Sequence, residues 1–286
     1  MTMAPTTWNI LVVDDEPDVL SITRLALRDL IVRGLPLNVV TASSKADAIE
    51  ILATDESIVA NTAVGFIDVV MESDTAGLEL CEHIRNERND SNMQLFIRTG
   101  QPGTAPERDV IDRYDISGYF TKAEMTEDKL YSLVKAGVRQ FDVNRIFQGT
   151  LLGMSAVMAN AHSREAMKSM MMMVAEGFLS SDVADNAHYY VVGDEPFFGP
   201  IGISAEDGQA RIDELEGLDG VPFGFGPDKI ITADNGDRLI SIGATEHRPK
   251  ASALIRMSDY DLSHTNLVSM TAFMQCFATL WGPAGP

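Results

Sequence analysis

Apolar runs and amphipathic stretches alternate along the first half of the chain. Ile10-Leu11-Val12-Val13 is a short apolar run that stops abruptly at Asp14-Asp15-Glu16-Pro17, the pattern of a parallel strand buried on both faces. Pro17 and the acids before it suit the first turn of a helix, which continues through Leu20, Ile22, Leu25 and Leu27. The same reading predicts strands over residues 37–40, 64–69, 94–98 and 116–120. Helices fall between and after them: one capped by Ser43 or Ser44, then 77–84, 107–114 and 126–141. Repeated strand–helix units predict an α/β fold, a doubly wound, five-stranded parallel sheet with helices on both faces. Right-handed crossovers bring the strand C-termini to one edge, where sheets of this kind hold their ligands.

The second half follows a different pattern. No proline occurs between Pro106 and Pro196, so the fifth helix is expected to run on past Phe141. Phe147, Leu151, Met154, Met158 and Ala161 follow 4-3-4-3 spacing, the seam of a coiled coil or helix pair. A second helix from Arg164 would carry Met167, Met170, Met171, Val174 and Phe178 on one face. Strands are expected over 188–192, 238–242 and 252–256, and a last helix over about 262–280 carries Leu267, Met270, Phe273, Met274 and Phe277. The stretch 193–236, rich in Gly, Pro and acids, reads as loops with a short helix near 210–215. Two domains are expected, 1–142 and 143–286, joined by the helical segment.

Composition narrows the function classes. Of 286 residues, 42 are acidic against 22 Lys and Arg, a net charge of −20. Such a chain repels the phosphate backbone and anionic lipid, so neither nucleic acid nor a membrane surface is the expected partner. Two cysteines, Cys81 and Cys276, make no disulfide framework and fit a reducing, cytoplasmic setting. No apolar run approaches the roughly 18 residues that span a bilayer, and the N-terminal residues lack the pattern of a signal peptide.

Chemistry concentrates at the predicted strand ends. The first strand ends at Asp14 and Asp15, the third at Asp68, the fourth at Thr99, and the fifth leads into Lys122. Carboxylates that close repel one another, and a divalent cation relieves that repulsion. Mg²⁺ prefers oxygen ligands and tolerates water and phosphate oxygens in its shell. Three carboxylates, a hydroxyl and an ammonium on one rim therefore suit phosphoryl transfer. An aspartyl-phosphate phosphatase on a similar sheet would place its nucleophile on the first strand, with a second Asp two residues later. Here Glu16 stands in that second position.

Over residues 9–142 the chain resembles the receiver domain of two-component response regulators, a flavodoxin-like fold. By that resemblance Asp68, in "FIDVVM", is the phosphoacceptor. Asp14 and Asp15 hold Mg²⁺ together with Asp68 and the main-chain carbonyl of Val70. Thr99, in "FIRTGQ", and Tyr119 form the switch pair, and Lys122 contacts the phosphoryl group. Ala123 follows Lys122 where proline is usual, and Met71-Glu72 stands where Met-Pro is common. The stretch from Val69 through "RTGQPGTAPERDVIDRYDISGYFTKAEMTEDKL" resembles receivers that precede a GAF-like domain of unknown function, often in proteins ending in an HD-GYP cyclic-di-GMP phosphodiesterase. The second half resembles that GAF-like α+β domain. None of the five histidines is followed by Asp and no Gly-Tyr-Pro occurs, so the hydrolase is not expected here.

The resemblance implies a phosphorylation-dependent regulator that signals through protein–protein contacts and is not an enzyme beyond its own phosphotransfer and slow self-dephosphorylation. Its partners would be a sensor histidine kinase or phosphotransfer protein, a downstream protein in cyclic-di-GMP signalling, and a second copy in a homodimer. The alternative is a regulator whose GAF-like domain binds a small molecule and tunes the receiver, which requires an enclosed pocket lined by residues from 188–256. His162, His188, His247 and His264 are too scattered for a metal site. The methionines at 170–173, Cys81 and Cys276 are expected to serve packing.

Overall fold

The computed structural model describes residues 7–54, 61–100, 107–170, 187–193, 195–223, 227–256 and 264–282. The chain divides into two compact units, with the boundary between Arg145 and Ile146.

In the first unit a six-stranded sheet runs in the order β2-β3-β1-β4-β5-β6. Its strands are β1 (Trp8–Val13), β2 (Ile31–Val32), β3 (Leu35–Ala42), β4 (Thr62–Ile67), β5 (Gln94–Thr99) and β6 (Gly118–Thr121). All pairings are parallel except β2 with β3. Every residue of β1 and β4 is buried, because helices cover both faces. One face packs Leu11, Val13, Ile67 and Ile97 against α2 (Lys45–Thr54), α3 (Ala76–Glu82, continued by a π turn His83–Glu87) and α4 (Glu107–Tyr114). The other packs Ile10, Val12, Val64 and Phe96 against α1 (Pro17–Leu27) and against Leu130, Val134, Val138 and Phe141 of α5 (Glu127–Ala159). Single-residue alternation along β1 and β5 thus feeds two separate cores.

The five expected strands are present, and β2 adds a sixth. It forms a two-residue hairpin in which Arg33 and Gly34 both have positive φ, 52° and 77°. That geometry matches the right-handed strand twist, but an Arg-Gly pair is a weak signal for it in sequence. Trp8 Nε1 donates to the Val32 carbonyl at 3.0 Å, and Arg33 pairs with buried Asp142 at 2.8 Å, which fixes the hairpin in place.

The second unit is α+β. Six antiparallel strands run in the order β8-β7-β12-β11-β10-β9. They are β7 (Ala187–Val192), β8 (Glu195–Ile201), β9 (Val221–Pro222), β10 (Lys229–Thr232), β11 (Arg238–Ile242) and β12 (Ala251–Arg256). One face packs Tyr190, Val192, Ile240 and Ile255 on α7 (His264–Trp281), through Met270, Phe273, Met274 and Phe277, and on Val157 and Met167. The other packs Tyr189, Val191, Leu239 and Leu254 on α6 (Ala205–Glu216) through Ile212 and Leu215.

The stretch read as loops therefore carries two short strands and one full strand besides its helix. Pro196 and Pro200 obscured β8, yet proline is tolerated there because β8 is an edge strand with one unpaired side. Two ion clusters tie this unit together. Buried Asp237 accepts from Arg211 at 2.7 Å and Arg256 at 2.6 Å. Buried Asp228 accepts from Arg248, Gln275 and the Gly243 amide at 2.6–2.8 Å. Burial alone would raise the Asp237 carboxyl, but the bonds from Arg256, Arg211 and Asn235 outweigh it and hold the group down at about 2.

The helix expected to pass Phe141 does so, continuing to Ala159. Of its 4-3-4-3 residues, Phe147, Leu151 and Met158 are exposed, while Met154 packs partly on the core. Met171, Val174 and Phe178, and Met172 and Met173, lie outside the described residues. Cys81 is buried, and burial pushes its thiol up to about 12.

Candidate functional site

The C-terminal edge of the parallel sheet gathers the charged side chains. β1 delivers Asp14, fully buried, with its amide bonded to the Ala42 carbonyl at 3.1 Å and its Oδ1 accepting the Glu16 amide at 3.0 Å. β4 delivers Asp68, buried, with its amide bonded to the Val13 carbonyl at 2.9 Å. The same sheet ladder that joins β1 to β4 therefore aligns the two carboxylates. β5 ends at buried Thr99. A 3-10 turn (Lys122–Glu124), capped by the Thr121 side chain and the reciprocal Glu124 carboxylate, sets the start of Lys122.

Lys122 links the acids. Its Nζ lies 2.8 Å from Asp68 Oδ2, 3.2 Å from Asp14 Oδ1 and 2.5 Å from Glu16 Oε1. Burial works against the Lys122 charge, but its bonds to Asp68 and Glu16 prevail and hold the ammonium above its ordinary range. Asp68 is pushed up from the usual carboxylate range, first by burial and then by the Asp14 charge, with Lys122 opposing. Glu16 is held below its range by Lys122.

Asp14, Glu16 and Asp68 each offer a carboxylate oxygen, and these atoms lie within 4.8 Å of one another. Asp68 Oδ1 is buried and has no hydrogen-bond partner. Crowded acids with an orphaned buried oxygen among them are a donor set that a hard divalent cation such as Mg²⁺ fits. Asp15, expected as a ligand, is exposed and is not one of this group. Val70 is half-buried against the core under α3. Tyr119 is half-buried on that same core, next in register to Ile97 of β5.

Two residues escaped the sequence reading. Glu16, which the sequence places only at the start of α1, completes the acidic group. Arg98, in sequence one more strand residue, is buried at this edge. Its guanidinium donates to Asp14 Oδ2 at 3.1 Å and to Thr23 Oγ1 of α1 at 2.9 Å. A charged residue inside the otherwise apolar run Leu95-Phe96-Ile97 was the available signal, since a buried Arg requires a partner.

In the second unit a small cavity of about 40 Å³ lies between α6 and the sheet, lined by Val191, Gly193, Gln209, Ile212, Glu216, Lys250 and Ser252. It has room for a few waters, not for an organic ligand. His188 is buried, its ring without a hydrogen-bond partner, and burial pushes it down to about 4. Among the described residues no helix is long and apolar enough to cross a membrane.

Residues 10–135 match the response regulator receiver domain family. A 3′3′-cGAMP-specific phosphodiesterase 2 of Vibrio cholerae is 35% identical over 165 residues, 57% of this chain. The chain spans only 31% of that relative's length. Two solved structures are a signal receiver domain of an HD domain-containing protein from Pseudomonas fluorescens Pf-5 and an adenylate cyclase from Rhodopirellula baltica. The first is 17% identical, with TM-score 0.42, covering 51% of this chain and 96% of that one. The second is 20% identical, with TM-score 0.42, covering 51% and 97%. With the parallel sheet, its acidic edge and the family match in agreement, residues 10–135 are a response regulator receiver domain.

Proposed function

We propose that this two-component response regulator takes a phosphoryl group on Asp68. The observation that carries the reading is the Lys122 ammonium 2.8 Å from one oxygen of Asp68, while the other oxygen is buried and unpaired. In the forward step a carboxylate oxygen of Asp68 attacks phosphorus, and the bond from phosphorus to the donor's imidazole nitrogen breaks. The imidazole leaves with the electron pair. Lys122 moves from the carboxylates onto the phosphoryl oxygens and offsets their charge. Asp14, Asp68, the Val70 carbonyl and, on the geometry above, Glu16 are the groups that would hold Mg²⁺, and Asp15, exposed beside Asp14, would have to turn inward to join them. When bound, the ion neutralises phosphate charge as the transfer proceeds.

The added charge would draw in Thr99 and Lys122, and Tyr119 would turn toward the space behind Thr99, altering the face of α4, β6 and α5. The partners on this reading are a histidine kinase or phosphotransfer protein upstream and a protein bound through that face downstream. The second unit, 143–286, would be a GAF-like docking module. Its antiparallel sheet with α6 on one face and α7 on the other supports that reading. The small-molecule alternative finds no support in the 40 Å³ cavity. Acetyl phosphate with Mg²⁺ tests the proposal: the wild-type chain takes label and Asp68→Asn takes none. Equal labelling of the variant overturns the assignment.

A further inference from the structure

Asp14 is fully buried at the acidic edge, and its two oxygens are engaged differently. Oδ1 accepts the Glu16 amide at 3.0 Å and Lys122 at 3.2 Å. Oδ2 accepts Arg98 at 3.1 Å. Lys122 is the movable cation of the pair: it reaches three acids at once from the sheet edge, is partly exposed, and would shift to the phosphoryl oxygens during transfer. Arg98 is the fixed one. It rises from the interior of β5, is buried, and is anchored on α1 through Thr23, whose hydroxyl in turn donates to the Val19 carbonyl at 2.8 Å. The guanidinium is buried, and among the described residues its ion pair is with Asp14, at 3.1 Å.

We propose that Arg98 is a positioning residue that sets the metal affinity of the receiver site, a resident counter-charge that withdraws part of Asp14 from any cation bound at its other oxygen. This rests on the reading of Asp14 and Asp68 as the Mg²⁺ site. The physical argument is a competition between two effects. Removing Arg98 loosens one oxygen of Asp14, which would weaken a cation site. It also removes a buried positive charge beside that site, which would strengthen it. The orientation of Asp14 does not depend on Arg98 alone, because the Glu16 amide and the β1–β3 ladder hold the carboxylate independently. The charge effect therefore prevails. Like charges repel strongly where water is scarce, and the gain in affinity is about tenfold or more.

Arg98→Gln is the informative change, since the amide can still donate to Asp14 or Thr23 while the charge is gone. Arg98→Lys keeps the charge. Calorimetric Mg²⁺ titration of the full chain, with thermal melting to verify folding, reads both. The expected result is Mg²⁺ binding about tenfold tighter in Arg98→Gln and within about threefold of wild type in Arg98→Lys. Unchanged or weaker binding in Arg98→Gln overturns the proposal and makes Arg98 a structural strut. So does an Arg98→Lys chain that departs from wild type as far as Arg98→Gln does. A wild-type chain that takes up no Mg²⁺ overturns instead the metal reading beneath it. Wild-type uptake that Arg98→Gln leaves unchanged removes only the role given to Arg98.

Discussion

At the scale of single residues, charge placed in the interior decides the chemistry. Lys122 bridges Asp68, Asp14 and Glu16. Replacing it with Met removes the cation that offsets the transferred charge, so the initial labelling rate should fall about a hundredfold at saturating Mg²⁺. Labelling kinetics with acetyl phosphate measure it, and a rate within twofold of wild type would contradict the role. His188 supports a prediction of another kind. Its folded-state value, about 4, lies below the ordinary 6.5, so the folded unit refuses a proton that the unfolded chain accepts. Above pH 6.5 proton uptake by the residue has no effect on stability. As pH falls from 6.5 to 4, roughly 3 kcal/mol of stability should be lost from the second unit. His188→Leu should flatten that part of the profile in urea melts, and an unchanged slope would contradict the argument. The convergence of Asp14, Asp68 and Lys122 on one sheet edge was legible. Asp14, Asp68, Thr99 and Lys122 each stand at the end of an apolar run, and that position announces them. Glu16 was not legible, because it stands at the start of α1 and its partner Lys122 lies 106 residues away, whereas Arg98 left a signal, a charge inside an apolar run, that did not say which acid it meets.

At the scale of elements, close backbone approach explains positions that periodicity cannot. The first turn of α3 packs directly on the end of β4: a Cβ on Gly77 would come within 1.8 Å of the Asp68 carbonyl oxygen. Gly77→Ala should therefore cost about 2 kcal/mol or more of stability and displace Asp68. Denaturant unfolding and labelling read the two effects together. Gly34, at φ 77°, closes the β2–β3 hairpin. Gly34→Ala should cost about 1 kcal/mol and leave labelling intact, because the hairpin lies at the far edge of the sheet from β5 and β6. The long parallel strands were readable because burial on both faces makes them continuous apolar runs. β8 and β10 were not, since edge prolines and short strands between glycines resemble loops until their neighbours are known.

At the scale of the whole molecule, two units of different construction share one chain. The receiver is a parallel sheet covered on both faces, and the second unit is an antiparallel sheet with its own two faces packed. The boundary between Arg145 and Ile146 falls inside α5, and the receiver core draws its last apolar contact from Phe141. A fragment of residues 1–145 should fold and take label at the rate of the full chain, and a fragment that fails to label would place the second unit within the phosphorylation machinery. The central claim concerns one side chain, and site mapping tests it most directly. The full chain is incubated with acetyl phosphate and Mg²⁺, the acyl phosphate is reduced with borohydride, and the peptides are sequenced by mass spectrometry. The account predicts homoserine at position 68, formed only when Mg²⁺ is present. Homoserine at another aspartate, or formation that ignores Mg²⁺, would contradict it.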